Sequence, residues 1–324
     1  MQIARRSAAG AVLVAAIVPL LAFQSSAAKP PPPRPPLQAA SLSPRAPNTL
    51  GLIPVLEYHR IGAADGRWSR SHQRFARDLE LLHARGYRPI TVRQLVTRRI
   101  DVAAGMTPVV ITFDDASPGQ FRFIAEGDSV RVDPTSAVGI WEAFARRHPE
   151  WKGRAVFCML PSASDGHAFF GDKGIEGQRT EWRLQKVRYL AEHGYELCNH
   201  TLWHANLAKM SRATVQEQIA RAQVAVDSAV PGYRMRTLAL PLGIWPKDRS
   251  LLRRGSWRDA RSGRTTTYEF DAVLRVGGGP SLSPFDTLFD PLRIPRIQVF
   301  EQELENLLDQ LDRRGNRYVA APRR

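Results

Sequence analysis

Four side chains of this sequence have the types and the spacing that a metal-dependent hydrolase needs. One apolar run ends in Asp114 and Asp115, and a later one ends before His200, with His204 four residues further on. Two imidazoles and one carboxylate suit Zn²⁺ and leave coordination positions for water and substrate. A second carboxylate that is not a ligand can accept the proton of the attacking water. The pattern therefore predicts a hydrolase site in which one aspartate is a ligand and the other is the base.

Each part of this pattern also has a plainer interpretation. An Asp pair after a strand is typical of a turn or a helix cap, and a single histidine there is typical of the surface. His200 and His204 would share one face of a helical turn whether or not they bind a metal. The combination favours a metal site. His59 adds a titratable group at the end of a third apolar run.

The elements that must position these residues alternate along the chain as strands and helices. This alternation predicts a parallel sheet, and the absence of a glycine-rich dinucleotide loop favours an α/β barrel over a Rossmann sheet. In such barrels the chemistry lies at the carboxyl ends of the strands. The strand candidates are 53–56, 108–113, 155–160, 195–198, 238–241, 272–276 and 294–299. Helices are predicted over 75–86, 140–147, 181–192, 211–230 and about 304–315.

The chain begins with three segments of different character. Residues 1–28 have the charged, apolar and small-residue order of a secretory signal peptide, with an uncleaved membrane anchor as the alternative. Residues 29–50 are rich in proline and predict a stiff linker or a leader without a role. A single catalytic domain is predicted over 51–324, with an insertion at about 116–150 on the side of the site. We therefore expect an exported bacterial protein, periplasmic, extracellular or at the cell surface.

The composition limits the partners. The 43% hydrophobic content is ordinary for a globular protein, and the formal net charge is +15. Such a charge can attract nucleic acid, but the sequence has no nucleic-acid-binding motif. We expect anionic cell-surface polymers as partners, no nucleic acid, and no stable membrane span after signal cleavage.

The two cysteines, Cys158 and Cys198, each lie within a strand candidate. Buried free thiols on neighbouring strands are the favoured prediction. Export would also permit a disulfide bond.

Two motifs resemble those of the polysaccharide deacetylases of the NodB-homology, carbohydrate esterase type. Thr112-Phe113-Asp114-Asp115 is similar to their first motif, and His200-Thr201-Leu202-Trp203-His204 is similar to the second, His-Ser/Thr-x-x-His. The resemblance covers roughly residues 52–300. It implies a distorted (β/α)7 barrel of parallel strands that removes N- or O-acetyl groups from a sugar polymer with a divalent metal. Zn²⁺ is the expected ion, with Co²⁺, Ni²⁺ or Fe²⁺ as alternatives.

The same resemblance assigns the roles in the site. Asp114 is the base, and the metal ligands are Asp115, His200 and His204. Tyr58-His59 on the first strand, with Ile294-Pro295-Arg296-Ile297 near the end, resembles the branch that deacetylates poly-N-acetylglucosamine. In that branch the general acid comes from the first strand, which makes His59 the acid; a structural histidine is the alternative.

The third family motif is only partly present. Pro241, Leu242 and Gly243 keep its proline and glycine, but Leu242 replaces a tyrosine and Ala239 stands where the family has arginine. The backbone N–H of Leu242 can still serve the oxyanion. Arg296 or Arg293 could supply the missing guanidinium beside Asp114. Trp203 could pack against a sugar or within the core.

The predicted function is that of an exported, metal-dependent deacetylase of a polymer that contains N-acetylglucosamine. Other acylated glycans are alternative substrates. The alternatives from other classes are a catalytically impaired carbohydrate-binding barrel at the cell wall and a basic adhesin.

Overall fold

Seven short, apolar strands close into a parallel barrel. A computed structural model describes residues 45–162, 168–300 and 303–322. The barrel strands are Val55–Tyr58 (β1), Thr107–Phe113 (β5), Val156–Met159 (β8), Glu196–Asn199 (β9), Thr237–Ala239 (β10), Ala272–Gly278 (β13) and Ile294–Gln298 (β14). Their order around the ring is β1-β14-β13-β10-β9-β8-β5, and β5 pairs again with β1, which closes the ring. The predicted (β/α)7 barrel is confirmed.

The helices cover the outside of the barrel, and polar residues cap several of their N-termini. Ser71, Ser136 and Ser211 each accept a hydrogen bond from a backbone N–H of the first helical turn, which satisfies a donor that the helix leaves unpaired. The α-helices are His72–Ala84 (α1), Val92–Val96 (α2), Ala137–Arg147 (α3), Trp182–Glu192 (α4), Arg212–Ala229 (α5) and Glu303–Arg314 (α6). Within the part of the chain that the structure describes, no helix is long and apolar enough to cross a bilayer.

The described residues form seven further strands outside the ring. Tyr87–Pro89 (β4) extends the sheet beside β5, and the others form small two-stranded pairs. These are Arg60–Gly62 (β2) with Ser69–Ser71 (β3), Phe123–Glu126 (β6) with Ser129–Val132 (β7), and Arg254–Arg258 (β11) with Thr265–Glu269 (β12). The predicted insertion 116–150 thus contains a β-hairpin and α3. The predicted signal peptide and residues 29–44 of the linker lie outside the described residues, whereas Asn48 pairs with Val319.

Alternation along the strands decides which side chains reach the interior of the barrel. Leu56, Ile111 and Phe157 pack with helical residues in one cluster, whereas Val55 and Val110 pack in another cluster made largely of residues from the other strands. Because successive side chains point to opposite faces, the residues two and four positions after Val55 and Val110 also face inward. Because of this alternation, the polar residues at these positions face the interior at the carboxyl end of the barrel.

The two cysteines form a disulfide, so the favoured prediction of free thiols is wrong. Cys158 of β8 and Cys198 of β9 are directly in register, with a Cα–Cα distance of 4.3 Å. Two cysteines on adjacent strands, both facing the barrel interior, are close enough to bond.

We expect the disulfide to stabilise the barrel by about 2–4 kcal/mol, because it closes a long loop in the unfolded chain. Urea unfolding with and without a reductant measures this difference. The chain has only two cysteines, so the reductant acts on no other bond, and the Cys158→Ala/Cys198→Ala variant should match the reduced protein. Equal unfolding midpoints in both conditions would contradict the expectation.

Candidate metal and acid–base site

Asp115, His200 and His204 meet at the carboxyl end of the barrel. The Nε2 atoms of His200 and His204 lie 3.3 and 3.6 Å from Oδ1 of Asp115. One ligand atom from each of the three residues lies within 4.8 Å of the others. The three predicted ligands are therefore brought together, although they come from the ends of two strands that are not neighbours, β5 and β9.

The backbone turns sharply at the aspartate pair. The N–H of Asp114 donates to the Tyr58 carbonyl and so continues the pairing of β5 with β1. Asp115 then adopts a left-handed conformation, with φ of 75°, which aspartate tolerates better than most residues. This change of direction separates the two carboxylates. Asp114 continues the strand, whereas the side chain of Asp115 lies beside the two histidines.

The two histidines do not lie on a helical turn, so that part of the prediction is wrong. Residues 201–203 form an irregular turn, and Thr201 and His204 have positive φ values of 64° and 59°. Buried Asn199 holds this turn: its Oδ1 accepts from the Thr201 N–H, and its Nδ2 donates to the Ile219 carbonyl of α5. Hydrogen bonds of the asparagine, rather than helical spacing, bring the imidazoles together.

The arginine expected beside Asp114 is Arg296 of β14. Its Nη1 and Nη2 donate to the two carboxylate oxygens of Asp114, each at 2.7 Å. Nη1 also donates to the Thr112 hydroxyl, which itself donates to the Leu56 carbonyl. Arg296 is fully buried and Asp114 is 1% exposed. A bidentate pair of this kind fixes both the position and the orientation of the carboxylate.

Glu57 is a residue of the site that the sequence interpretation missed. It is buried on β1, and its Oε2 lies 3.3 Å from Nε of Arg296. Its Oε1 lies 3.4 Å from Nε2 of His59. The only available signal was the inward register of residue 57, two positions after Val55 and two before His59. Glu57 thus links the predicted acid to the arginine that holds the predicted base.

Gln120 was also missed, and it connects the ends of two strands. Its side-chain amide donates to the His59 carbonyl at 2.6 Å and to the Asp114 carbonyl. Gln120 is fully buried in the loop after β5. It fixes the spacing between the strand ends that carry the predicted acid and base.

Of the remaining predicted site residues, Leu242 lines the cavity and Trp203 does not. Leu242 is 55% exposed with φ of 58° and lines the cavity, while Pro241 is buried. Gly243 follows with φ of 66°, and a Cβ atom there would lie 3.0 Å from that of Val276. Trp203 is 44% exposed and lies outside the cavity lining.

A cavity of about 500 Å³ opens onto this cluster. It is a concave site of the size that small ligands or a segment of a polymer occupy. Its lining comprises Glu57, His59, Arg60, Trp68, Asp114, Asp115, His200, His204, Leu240, Leu242, Val276 and Gln298. The predicted base, acid and ligands therefore share one opening.

The charges shift the pKa values of the central groups. Burial opposes ionisation of Asp114, but the Arg296 guanidinium and His200 outweigh it and hold its pKa well below the usual range. Burial likewise opposes the charged form of His200, but Asp114 and Asp115 outweigh it and raise the pKa of His200. For Glu57, burial dominates and raises the pKa. Asp114 is thus held as a carboxylate.

The residues present fit a divalent metal. Nδ1 of His200 bonds to the Ala239 carbonyl at 2.9 Å, which directs Nε2 of the neutral ring, with its lone pair, toward Asp115. Such an outer bond orients a ligating imidazole. Two imidazoles and one carboxylate leave further positions open. The donor set and its orientation match those of a catalytic metal site.

Comparison with known proteins points to one family. The family model for polysaccharide deacetylases matches residues 102–254. The predicted resemblance to polysaccharide deacetylases is confirmed. The matched segment includes Asp114, Asp115 and both histidines, but it ends before Arg296 and begins after His59.

The relatives agree with this assignment. A chitooligosaccharide deacetylase of Sinorhizobium fredii (strain NBRC 101917 / NGR234) is 35% identical over 74 residues, which are 23% of this chain and 34% of that protein. The chain thus spans about a third of the length of this curated relative. A polysaccharide deacetylase from Bacillus cereus has a TM-score of 0.54 and 14% identity, over 80% of this chain and 69% of that one. IcaB from Ammonifex degensii has a TM-score of 0.51 and 16% identity, over 80% and 96%. These two structures share the fold.

Removal of any one ligand should abolish tight metal binding. We expect Asp115→Ala, His200→Ala and His204→Ala to lose the divalent metal that the wild type retains after dialysis, as measured by elemental analysis. Because the pKa of His200 is raised, protons should compete more strongly as the pH falls, so the metal affinity of the wild type should increase with pH. His193→Ala, which changes an exposed ring stacked on Tyr189, is the control. Unchanged metal content in the ligand variants would refute the site.

Arg296→Ala should destabilise the fold by about 3–5 kcal/mol near neutral pH, because it leaves the Asp114 charge buried and unpaired. With Arg296, the depressed pKa of Asp114 stabilises the fold above about pH 4. Without Arg296, burial should raise that pKa, so the stability difference should narrow as the pH falls and Asp114 becomes protonated. Urea unfolding of the wild type and the variant at several pH values measures this difference in stability.

Arg147→Ala is the control for this change. It breaks an exposed pair with Glu80 and should cost at most about 1 kcal/mol. A similar cost for both variants, independent of pH, would contradict the importance of the buried pair.

Proposed function

We propose that this protein is an exported, metal-dependent polysaccharide deacetylase that hydrolyses N-acetyl groups, or O-acetyl groups, of a polymer containing N-acetylglucosamine. The observation that carries the proposal is the carboxylate of Asp114, which Arg296 holds by two hydrogen bonds beside the three candidate ligands. Hydrolysis of an amide needs a base within hydrogen-bond reach of the activated water. The resemblance to polysaccharide deacetylases supplies the substrate class.

Asp115, His200 and His204 would hold the metal, with Zn²⁺ as the expected ion. When bound, such an ion lowers the pKa of water and polarises a carbonyl group. Asp114 accepts the proton of the attacking water, and Arg296 keeps its carboxylate oriented during the transfer. The N–H of Leu242 donates to the developing oxyanion. These residues together stabilise the tetrahedral intermediate.

His59 gives a proton to the leaving nitrogen of the sugar. Its ring lies beside Glu57, whose carboxylate can accept a hydrogen bond from Nε2. His59 lines the same cavity as Asp114 and the candidate ligands, so it can reach the leaving nitrogen. Collapse of the intermediate then releases acetate and leaves the free amine on the polymer.

The N-terminal segment supports export, and export places the enzyme where such polymers occur. The signal-like order of residues 1–28 and the proline-rich segment that follows fit a domain held in the periplasm or at the bacterial cell surface. The net charge of +15 would favour contact with anionic cell-surface polymers.

A carbohydrate-binding barrel without catalysis is the alternative. The replacements at Ala239 and Leu242 favour it, because the family has arginine and tyrosine there. The position of Arg296 weakens this argument, since its guanidinium contacts Asp114 from another strand.

Acetate release separates the two functions. We expect the metal-loaded protein to release acetate from at least one of poly-N-acetylglucosamine, chitin oligomers, peptidoglycan and acetylated xylan. Asp114→Asn should retain the metal and lose at least about 100-fold in kcat, because the amide cannot act as a base. Glu80→Gln, on the exposed face of α1, is the control. Binding of a glycan without acetate release by the wild type would favour the carbohydrate-binding alternative.

A further inference from the structure

Trp68 forms one wall of the cavity, although it lies in a segment that no motif covers. It comes directly before β3, and residue 68 precedes the segment matched by the family model. Its ring is 44% exposed and lines the cavity together with the predicted catalytic residues. A large aromatic ring of this kind is apolar surface that binding of a ligand would cover.

The ring of Trp68 contacts two aromatic rings, and the guanidinium of exposed Arg67 lies 5.4 Å from its centroid. Its centroid lies 4.9 Å from that of His59 and 5.3 Å from that of Phe300, both in edge-to-face contacts. The backbone is fixed as well, because the Trp68 carbonyl accepts a hydrogen bond from the Arg60 N–H. A rigid aromatic side chain loses little conformational entropy when it binds a ligand.

The chemistry of deacetylation determines which part of the substrate lies beside Trp68. The acyl carbon must lie between Asp114 and the candidate ligands, whereas the leaving nitrogen remains on the sugar and must lie beside His59. The sugar ring is therefore on the His59 side of the cavity. Trp68 contacts the His59 ring and lines the same cavity, so its exposed ring borders the space where the sugar ring must lie.

We infer that Trp68 is a stacking platform for the pyranose ring of the substrate, and that it gives the site its selectivity for sugar-linked acetyl groups. The inference rests on the proposed function. The apolar face of a pyranose ring covers an aromatic ring well, and polar groups around the platform can bind its hydroxyls. Arg60 and Gln298 line the same cavity and supply such groups.

The test compares two substrates in each variant. One is an N-acetylglucosamine oligosaccharide, and the other is 4-nitrophenyl acetate, which carries no sugar. We expect Trp68→Ala to lower the ratio of the two kcat/KM values about tenfold, which corresponds to about 1.4 kcal/mol, mainly through a higher KM for the oligosaccharide. Trp68→Phe, which keeps an aromatic plane, should lose less. Thermal unfolding of each variant checks that the fold is intact.

Phe285→Ala is the matched control. Phe285 is 40% exposed, close to the value for Trp68, but it lies outside the cavity lining, so its removal should leave the ratio unchanged. A ratio that stays within about twofold in Trp68→Ala would overturn the inference. An equal loss on both substrates would also overturn it, because Trp68 would then act only by positioning His59.

Calorimetry with the same oligosaccharide distinguishes this inference from the proposed function. If the wild type releases no acetate from any glycan, the proposed function fails, and the dissociation constant decides the role of Trp68. Binding about tenfold weaker in Trp68→Ala would support the platform. Equal binding in both proteins, or no binding by the wild type, would overturn it.

Discussion

The buried pair of Arg296 and Asp114 constrains the rest of the site. Removing two charges from water is costly, and the cost is recovered only when the geometry is good and the remaining donors are bonded. Here the guanidinium makes two bonds to the carboxylate and contacts Thr112 and Glu57 as well. The side chain of Arg296 reaches from β14 past β1 to the end of β5. Strand order, register and the ionisation of Asp114 therefore depend on one another.

Closure of the barrel makes this contact available. β1 has β14 on one side and β5 on the other. The arginine, the predicted acid and the predicted base therefore lie on or directly after three neighbouring strands of the ring. The histidine pair follows β9, which is not a neighbour of any of these strands. A shift of one residue in any strand would turn its inward side chain toward the helices. The site thus requires the full ring in one register, which explains why its members are spread over about 240 residues of sequence.

The sequence was sufficient for the large elements and for the first contacts of the site. Seven buried strands and the main helices could be predicted because their apolar periods are strong, as in Thr107–Phe113, where every residue is buried. The short pairs β6–β7 and β11–β12 were missed, since they are partly exposed and carry little apolar pattern. The disulfide was not the favoured prediction, because only the register of β8 and β9 shows that the two cysteines are direct neighbours.

The choice between Arg296 and Arg293 shows what register adds. Arg293 ends the 3₁₀ turn before β14, whereas Arg296 lies within the strand. At about 3.3 Å per residue, three positions separate the two side chains by about 10 Å along the barrel. Arg293 is also an odd number of residues from Arg296, and so would point to the other face if the strand were extended. Only the register of the closed barrel could decide between them.

The balance of charge in the cavity favours a cation beside Asp115. Glu57, Asp114 and Asp115 bring three carboxyl groups together, and Arg296 contacts the first two of them. Asp115 faces the two imidazoles, which have no fixed charge, so a divalent ion there would offset the negative charge that Arg296 leaves. Glu57 lies on the other side of Arg296, against His59, and burial raises its pKa, so it adds less negative charge than an exposed carboxylate would. The buried ion pair thereby keeps Asp114 an anion next to a position that attracts a divalent cation, which is the arrangement that the proposed hydrolysis needs.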